Sequence, residues 1–174
     1  IAVKIDPGMA FGTGAHPTTQ LCLALVEKYT KPNEPVIDIG CGSGILSIGA
    51  LLLGASTALG VDIDPDFQEN CRENAERNDV LDRFEIHQGS VTEILAGNFG
   101  VKQAPLVVAN ILAPILIRLF DAGMADVIEP DGVICLSGIL EDQEQAVRAA
   151  AESKGLKFLS RDQMKDWVAL AYQK

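Results

Sequence analysis

Three closely spaced glycines form the first candidate binding element of the chain. The apolar run PVIDIG (35–40) is followed by CGSG, so that Gly40, Gly42 and Gly44 separate a strand-like segment from an apolar helical one. Glycine permits turns with positive φ and lets a ligand approach the backbone closely, because it has no Cβ. The spacing G-x-G-x-G differs from the dinucleotide fingerprint G-x-G-x-x-G, and no Gly-Lys-Ser/Thr of a P-loop follows. The segment predicts a ligand-binding loop with Gly40 and Gly42 as contacts; a tight turn without a ligand is the alternative.

Two aspartates near this loop occupy positions where a carboxylate can bind a ligand. Asp62 lies in the second apolar run (57–64), twenty-two residues after Gly40. A carboxylate at that place accepts hydrogen bonds from both hydroxyls of a ribose. Asp64 is assigned to the start of the next helix, which leaves Asp62 for the ligand. Asp38 lies inside the first run, where a buried carboxylate is costly unless paired, so a bound ammonium group is its predicted partner.

A polar residue also ends the fourth apolar run. Asn110 closes PLVVAN, and its amide offers both a donor and an acceptor toward the same crevice. A strand-end turn asparagine is the alternative interpretation. After the third run, the sequence HQGS has no acidic residue for an adenine amino group, so Ser90 or the backbone would have to serve. His87 and Trp167 are interpreted as packing residues.

Short β-rich runs alternate with helical runs, and this alternation indicates the fold. Strands are predicted at 35–40, 57–64, 83–89, 105–111 and 132–139, and in the tail sequences LKFLS and DWVALAYQ. The predicted helices are ILSIGALLLG, a polar helix opened by Pro65, APILIRLFDAGMADVI, and EDQEQAVRAAAESKG closed by Gly155. The last two strands are too close for a crossover helix and should form an antiparallel hairpin. The predicted fold is α/β, a doubly wound seven-stranded mostly parallel sheet with one antiparallel C-terminal strand.

Composition narrows the classes of partner. The 174 residues are 48% hydrophobic and carry a net charge of −10 without a Lys/Arg cluster, which argues against direct nucleic-acid binding. The four cysteines show no C-x-x-C spacing, so we predict no metal site. Cys22, Cys71 and Cys135 lie in apolar or helical patterns and are expected to be buried free thiols, which suits a reducing cytoplasm. The uncharged stretch 39–61 contains six glycines and has no basic anchors, so it is not interpreted as a membrane span.

A second glycine-rich segment, DPGMAFGTGAHPTT (6–19), precedes another predicted helix. Pro17 occupies a favoured first helical position, so the first-turn amides and nearby hydroxyls point toward the preceding segment. Such a helix start can bind an anion such as a carboxylate. Thr19 is assigned to that ligand, whereas Thr18 could equally serve the helix start alone. The glycines before His16 are expected to form a mobile cover over the ligand.

These motifs together resemble a known family. DIGCGSG, VDID and VVANI resemble class I S-adenosylmethionine-dependent methyltransferases, and DPGMAFGTGAHPTT with NILA and LSGIL resembles the ribosomal protein L11 methyltransferase (PrmA) family. The resemblance covers the chain from Asp6 to its end. It implies S-adenosyl-L-methionine as cofactor, with contacts from Thr19, Gly40, Asp62 and Asn110. It also implies ribosomal protein L11 as the substrate, methylated on lysine or N-terminal amino groups.

The resemblance further implies a domain organisation. In the family a smaller N-terminal domain recognises the ribosomal protein, and we expect no counterpart of it in this chain, which starts without methionine and is expected to be a fragment. Residues 1–15 are then a strand and glycine-rich loop, the remnant of a linker plus an active-site cover. Residues 16–174 are the cofactor-binding catalytic domain. Asn110 is expected to aim the acceptor amine at the methyl group, and Phe11 to line its entry.

Other functions stay open. A class I methyltransferase could act on another protein, RNA or a small molecule, although Ile111, Leu112 and Ala113 replace the Pro-Pro-aromatic signature of enzymes that methylate planar groups. A non-catalytic cofactor-binding domain would bind without transfer, and a nicotinamide oxidoreductase is disfavoured by the glycine spacing. We expect a cytoplasmic protein that does not bind a membrane. The sequence leaves its oligomeric state open.

Overall fold

The fold is built on one seven-stranded sheet. The structure, a computed structural model, describes residues 1–6 and 14–174. The strands are β1 (Val36–Ile39), β2 (Ala58–Asp62), β3 (Phe84–Gln88), β4 (Ala104–Asn110), β5 (Ile128–Leu140), β6 (Lys157–Met164) and β7 (Trp167–Gln173). The helices are α1 (Pro17–Tyr29), α2 (Ile45–Leu52), α3 (Phe67–Arg77), α4 (Val91–Ala96), α5 (Ala113–Asp121) and α6 (Glu144–Ser153).

The strand order confirms the predicted doubly wound topology. The strands follow the order β3-β2-β1-β4-β5-β7-β6 across the sheet. β1 pairs in parallel with β2 and β4, and β7 pairs antiparallel with both β5 and β6. Only two residues separate β6 from β7, and Lys165 among them has a φ of 54°. The connection is therefore a hairpin, and β7 is the one reversed strand.

Apolar residues on both faces of the sheet bury it between two helical layers. Neighbouring residues of β1 point to opposite faces, as the alternation of strand side chains requires. One core cluster joins the sheet to α5 and includes Ile37, Ile39, Val107, Leu116 and Phe120. The other joins it to α1, α2 and α3 and includes Leu25, Val36, Ile48, Cys71 and Val108. Asp38 lies on the second face, because it alternates with Ile37 and Ile39.

Several predicted boundaries differ from the observed ones. The polar helix starts at Phe67 and not at Pro65, because the Asp64 carboxylate accepts the Asp66 N–H at 2.9 Å in a turn before the helix. α5 stops at Asp121, since Gly123 has a φ of 102° and a 3₁₀ turn follows. The last predicted helix begins three residues late, after a 3₁₀ turn at Glu141–Gln143.

Other expectations are confirmed. Gly155 follows α6 with a φ of 82°, as a helix-ending glycine should. All four cysteines are free and buried. Within residues 1–6 and 14–174, no helix combines the length and apolar character needed to cross a bilayer. The short helix α4 was not predicted from the sequence.

Candidate functional site

A cavity of about 750 Å³ opens at the carboxyl edge of the sheet. The chain runs from β1 to β2 and β3 on one side and reaches β4 and β5 on the other, so β1 and β4 flank the topological switch point. Open α/β sheets bind ligands in that crevice. The cavity walls extend from the β3 end to the start of β7 and include Ser90, Asp62, Gly42, Asn110, Gly138 and Trp167. With about 4.8 Å between strands, β2 and β7 lie about 19 Å apart, which leaves room for two reactants.

The glycine loop forms the centre of the cavity wall. Gly40, Gly42 and Gly44 have φ values of 73°, 48° and 81°, all in the left-handed region that favours glycine. The loop lies against β2, because the Gly40 and Cys41 N–H groups both donate to the Val61 carbonyl, at 2.8 and 3.0 Å. Gly40 and Gly42 line the cavity, as predicted for ligand contacts.

Asp62 is held in place at the end of β2. Its Oδ2 accepts the Gly42 N–H at 3.0 Å, and its Oδ1 accepts the Asp64 N–H at 3.0 Å. The half-buried carboxylate lines the cavity. Asp64 instead accepts the Asp66 N–H in a turn, so the prediction that Asp64 caps the next helix is wrong, because the N-cap residue of α3 is Asp66. Each Asp62 oxygen keeps a second lone pair, so the side chain can accept hydrogen bonds from two neighbouring hydroxyls.

Asp38 is fully buried behind the loop and does not line the cavity. The Ser47 hydroxyl and N–H donate to its Oδ2 at 2.7 and 3.2 Å. Its Oδ1 has no hydrogen-bond partner among the described residues. Burial raises the pKa of Asp38 from 3.8 to about 7, against the hydrogen bonds from Ser47, and repulsion from Asp62 adds to the rise. A cation next to Oδ1 would favour the ionised form.

Asn110 ends β4 at the cavity wall, opposite Ser137 of β5. Its Oδ1 is buried and lacks a hydrogen-bond partner in the described parts of the chain. Strand alternation places Asn110 on the same sheet face as Val108 and Asp38, because Asp38 and Val108 are register partners. The unpartnered oxygens of Asp38 and Asn110 therefore belong to neighbouring strands and to one face.

The start of α1 adds two threonines with different surroundings. Pro17 begins the helix as predicted, and the N-cap His16 accepts the Thr18 N–H at 3.3 Å. Thr18 lines the cavity, with its Oγ1 2.8 Å from His16 Nδ1. Thr19, the predicted ligand contact, is fully buried and does not line the cavity. Its Oγ1 also lacks a hydrogen-bond partner within 1–6 and 14–174.

Some predicted residues are placed elsewhere or lie outside the described residues. Phe11 and two of the glycines expected to form a cover, Gly8 and Gly12, belong to residues 7–13, which the structure does not describe. The third, Gly14, has a φ of 82°. Ser90 lines the cavity, but its N–H donates to Glu93 at 2.7 Å in the capping box that starts α4. The Ser90 N–H suggested for adenine is therefore already bonded within the protein.

Sequence reasoning missed residues at both ends of the cavity. Trp167, expected only to pack, lines the cavity and contacts His16 edge-on, with ring centroids 5.0 Å apart. At the other end, Ile63 and Leu112 are 72% and 59% exposed on the cavity wall. The predicted hairpin could have located Trp167. A strand antiparallel to β5 must begin where β5 ends, and Trp167 pairs with Leu140, the last residue of β5. Among the described residues, no group of three His, Cys, Asp or Glu side chains could hold a metal ion.

The fold and the strand-end cavity are those of the Rossmann-like class I methyltransferase domains. A family model described as Ribosomal protein L11 methyltransferase (PrmA) matches residues 1–174. The chain belongs to this family. The ribosomal protein L11 methyltransferase of Pelotomaculum thermopropionicum is 44% identical over 171 residues, which are 98% of this chain and 54% of that protein. The chain thus spans about half the length of the curated relatives it matches.

Solved structures agree with this assignment. The crystal structure of a ribosomal protein L11 methylase from Lactobacillus delbrueckii subsp. bulgaricus is 32% identical with a TM-score of 0.85, and the match covers 98% of this chain and 83% of that one. An RNA methyltransferase from Salinibacter ruber, in complex with S-adenosyl-L-homocysteine, is 17% identical with a TM-score of 0.67 and coverage of 91% and 93%. The second similarity concerns the fold alone.

The raised pKa of Asp38 makes the stability of the fold depend on pH. The unfolded carboxyl ionises near 3.8 and the folded one near about 7, so between these values the folded state retains a proton that the unfolded state has released. Stability from this group is therefore present below the lower value and is lost as pH rises, by up to about 1.4 kcal/mol per pH unit. Asp38→Asn should remove this contribution to the pH dependence of the free energy of unfolding. Urea unfolding at about pH 5 and about pH 7 measures it; equal slopes in both proteins would contradict the assignment.

Proposed function

We propose that this chain binds S-adenosylmethionine and that the protein transfers its methyl group to amino groups of ribosomal protein L11. The observation that carries the proposal is that, of five buried side-chain oxygens without partners among the described residues, three are Thr19 Oγ1, Asp38 Oδ1 and Asn110 Oδ1, whereas the other two, on Thr30 and Tyr172, belong to residues that do not line the cavity. Buried polar atoms in native proteins are nearly always hydrogen-bonded. All three belong to residues that line the switch-point cavity or directly adjoin a lining residue. We therefore expect groups of a bound ligand to supply the missing hydrogen-bond partners of these oxygens.

The chemistry of these oxygens fits the methionyl part of the cofactor. The free oxygen of the Asp38 carboxylate suits an ammonium group, as the sequence predicted. The Thr19 hydroxyl suits a carboxylate, because it can donate a hydrogen bond to it. The first-turn N–H groups of Thr18 and Thr19 are bonded to His16, so they do not form the anion site that the sequence predicted. A ligand that carries an ammonium and a carboxylate group on one carbon would use both side chains.

The other end of the cavity suits the adenosine part. The Asp62 carboxylate, fixed by two backbone N–H groups, is placed to accept both ribose hydroxyls. The exposed side chains of Ile63 and Leu112 offer apolar contact to a flat ring. Because the Ser90 N–H is bonded to Glu93, adenine contacts in this proposal are mainly apolar.

The acceptor amine is assigned to the β4–β7 side of the cavity. When bound, the cofactor supplies a methyl group already activated on a positively charged sulfur. Asn110 Oδ1 accepts a hydrogen bond from the neutral amine and so directs its lone pair, since an ammonium has no lone pair for attack. Trp167 and His16 form the aromatic wall on that side and limit how the amine can enter.

The substrate assignment rests on the family and on the names of the relatives, which are ribosomal protein L11 methyltransferases. The buried free cysteines are consistent with a reducing, cytoplasmic compartment, where ribosomes are modified. The net charge of −10 is consistent with a basic protein partner and not with direct nucleic-acid contact.

The test is incubation of the full-length protein with S-adenosylmethionine carrying an isotope-labelled methyl group and a ribosomal protein mixture. Mass spectrometry should find the label on amino groups of L11. Label only on RNA or on another protein would contradict the substrate assignment, and cofactor binding without any transfer would favour a non-catalytic domain.

Asp62→Ala should weaken cofactor binding by on the order of 2 kcal/mol, or about 30-fold in Kd, because charge-assisted hydrogen bonds to the ribose are lost. Calorimetry with S-adenosylhomocysteine measures this. Asp64→Ala is the matched control, since Asp64 bonds only within the turn before α3 and does not line the cavity. Equal affinity of the Asp62 variant and the unaltered protein would remove Asp62 from the site.

Asn110→Ala should lower the single-turnover methylation rate at saturating cofactor by at least about tenfold, because the amine loses its orienting acceptor. Cofactor affinity should change much less than the rate. Asn98→Ala, outside the cavity, serves as control. An unchanged rate in the Asn110 variant would show that Asn110 does not orient the amine.

A further inference from the structure

Two asparagines on α3 hold the N-terminal segment in the same way. Asn78 Oδ1 accepts the Lys4 N–H at 2.9 Å, and its Nδ2 donates to the Lys4 carbonyl at 2.7 Å. Asn74 Oδ1 accepts the Asp6 N–H at 2.9 Å, and its Nδ2 donates to the Asp6 carbonyl at 3.4 Å. Two extended residues span about 6.6 Å and four helical residues rise about 6 Å. The two side-chain amides therefore match alternate residues of the segment.

Asn74 contacts the glycine loop, whereas Asn78 does not. Asn74 Nδ2 also donates to the Ser43 carbonyl of the glycine loop at 3.0 Å, whereas Asn78 Nδ2 donates to the Asn74 carbonyl within α3 at 2.8 Å. Asn74 is fully buried. A single amide group thus joins the N-terminal segment, α3 and the loop.

The Ser43 carbonyl belongs to a peptide unit of the loop whose carbonyl and N–H are both hydrogen-bonded. The N–H of the same peptide unit, that of Gly44, donates to the Cys41 carbonyl at 2.8 Å. A Cβ on Gly44 would lie 2.7 Å from Cys71 Sγ, so α3 packs directly against the loop one turn before Asn74. Loss of the Asn74 contact would remove one hydrogen bond from this carbonyl at the position where the loop turns into α2.

We propose that Asn74 is a positioning residue that couples the N-terminal segment to the cofactor loop. Anchoring of Asp6 orients the Asn74 amide, and the amide fixes the Ser43–Gly44 peptide, so loop geometry and segment anchoring stabilise each other. By reciprocity, a ligand that binds the ordered loop must strengthen the anchoring of the segment. The inference rests on the proposed function only in assuming that the loop contacts S-adenosylmethionine or its product.

Asn74→Ala and Asn78→Ala form the matched pair that tests this coupling. Each removes the pair of hydrogen bonds that an asparagine makes to one residue of the N-terminal segment, and both should lower the melting temperature. In the Asn74 variant Asp6 keeps its ion pair with Arg77, at 3.0 Å. Only Asn74→Ala should weaken S-adenosylhomocysteine binding, by about tenfold, against less than about twofold for Asn78→Ala. Calorimetry gives both dissociation constants. Equal Kd values for the two variants, whether both weakened or both normal, would overturn the proposal.

Hydrogen exchange on the unaltered protein gives a second test that needs no variant. Saturation with S-adenosylhomocysteine should slow exchange of the Asp6 N–H, which is bonded to Asn74, more than that of the Lys4 N–H, which is bonded to Asn78. Equal changes at the two amides would contradict the coupling. If the unaltered protein does not bind S-adenosylhomocysteine at all, the proposed function is contradicted. If the unaltered protein and the Asn74 variant bind it equally well, only the coupling is contradicted.

Discussion

The arrangement of the site depends on a loop that fits because three of its residues have no side chain. A Cβ on Gly40 would lie 2.7 Å from Ile111 Cδ1, and one on Gly44 would lie 2.7 Å from Cys71 Sγ. The loop is therefore in close contact with the end of β4 on one side and with α3 on the other, while its first amides bond to β2. Because three elements fix the loop, it can in turn fix Asp62 through the Gly42 N–H.

Charge adds a second constraint. Burial raises the pKa of Asp38, and repulsion from Asp62 adds to the rise. The Ser47 bonds reduce this cost for one oxygen only. A positively charged ligand group would give the other oxygen, Asp38 Oδ1, a hydrogen-bond donor. The acidic composition of the chain thus has a local counterpart: Asp38 lies where the proposed cofactor carries its ammonium group, and Asp62 lies where it carries its ribose.

Much of the fold could be predicted from the sequence because the strands are long apolar runs with glycines or short polar turns at their ends. The hairpin followed from the short gap between the last two runs. Helix starts were less predictable, since Asp64 forms its own turn and delays α3 to Phe67. α4 has only six residues, too few for a periodic pattern, and depends on the Ser90–Glu93 capping box.

The position of a candidate site residue was predictable where that residue ends a parallel strand. Asp62 and Asn110 end parallel strands, so their position at the carboxyl edge requires no knowledge of packing. The choice between Thr18 and Thr19 depends on the rotation of α1 against the sheet, which no local pattern in the sequence defines. In the structure Thr18 faces the cavity and Thr19 lies behind it.

Trp167 shows how a topological rule can locate a side chain of the candidate site that local composition does not. In an all-parallel sheet, the first residue of a strand lies at the amino edge, away from the ligand. Reversal of β7 places its first residue at the carboxyl edge of β5, next to Leu140 and within reach of His16. The hairpin that closes the sheet therefore also supplies one wall of the cavity. The reversed strand contributes to the proposed acceptor side because its direction, and not its hydrophobicity, determines which end meets the ligand.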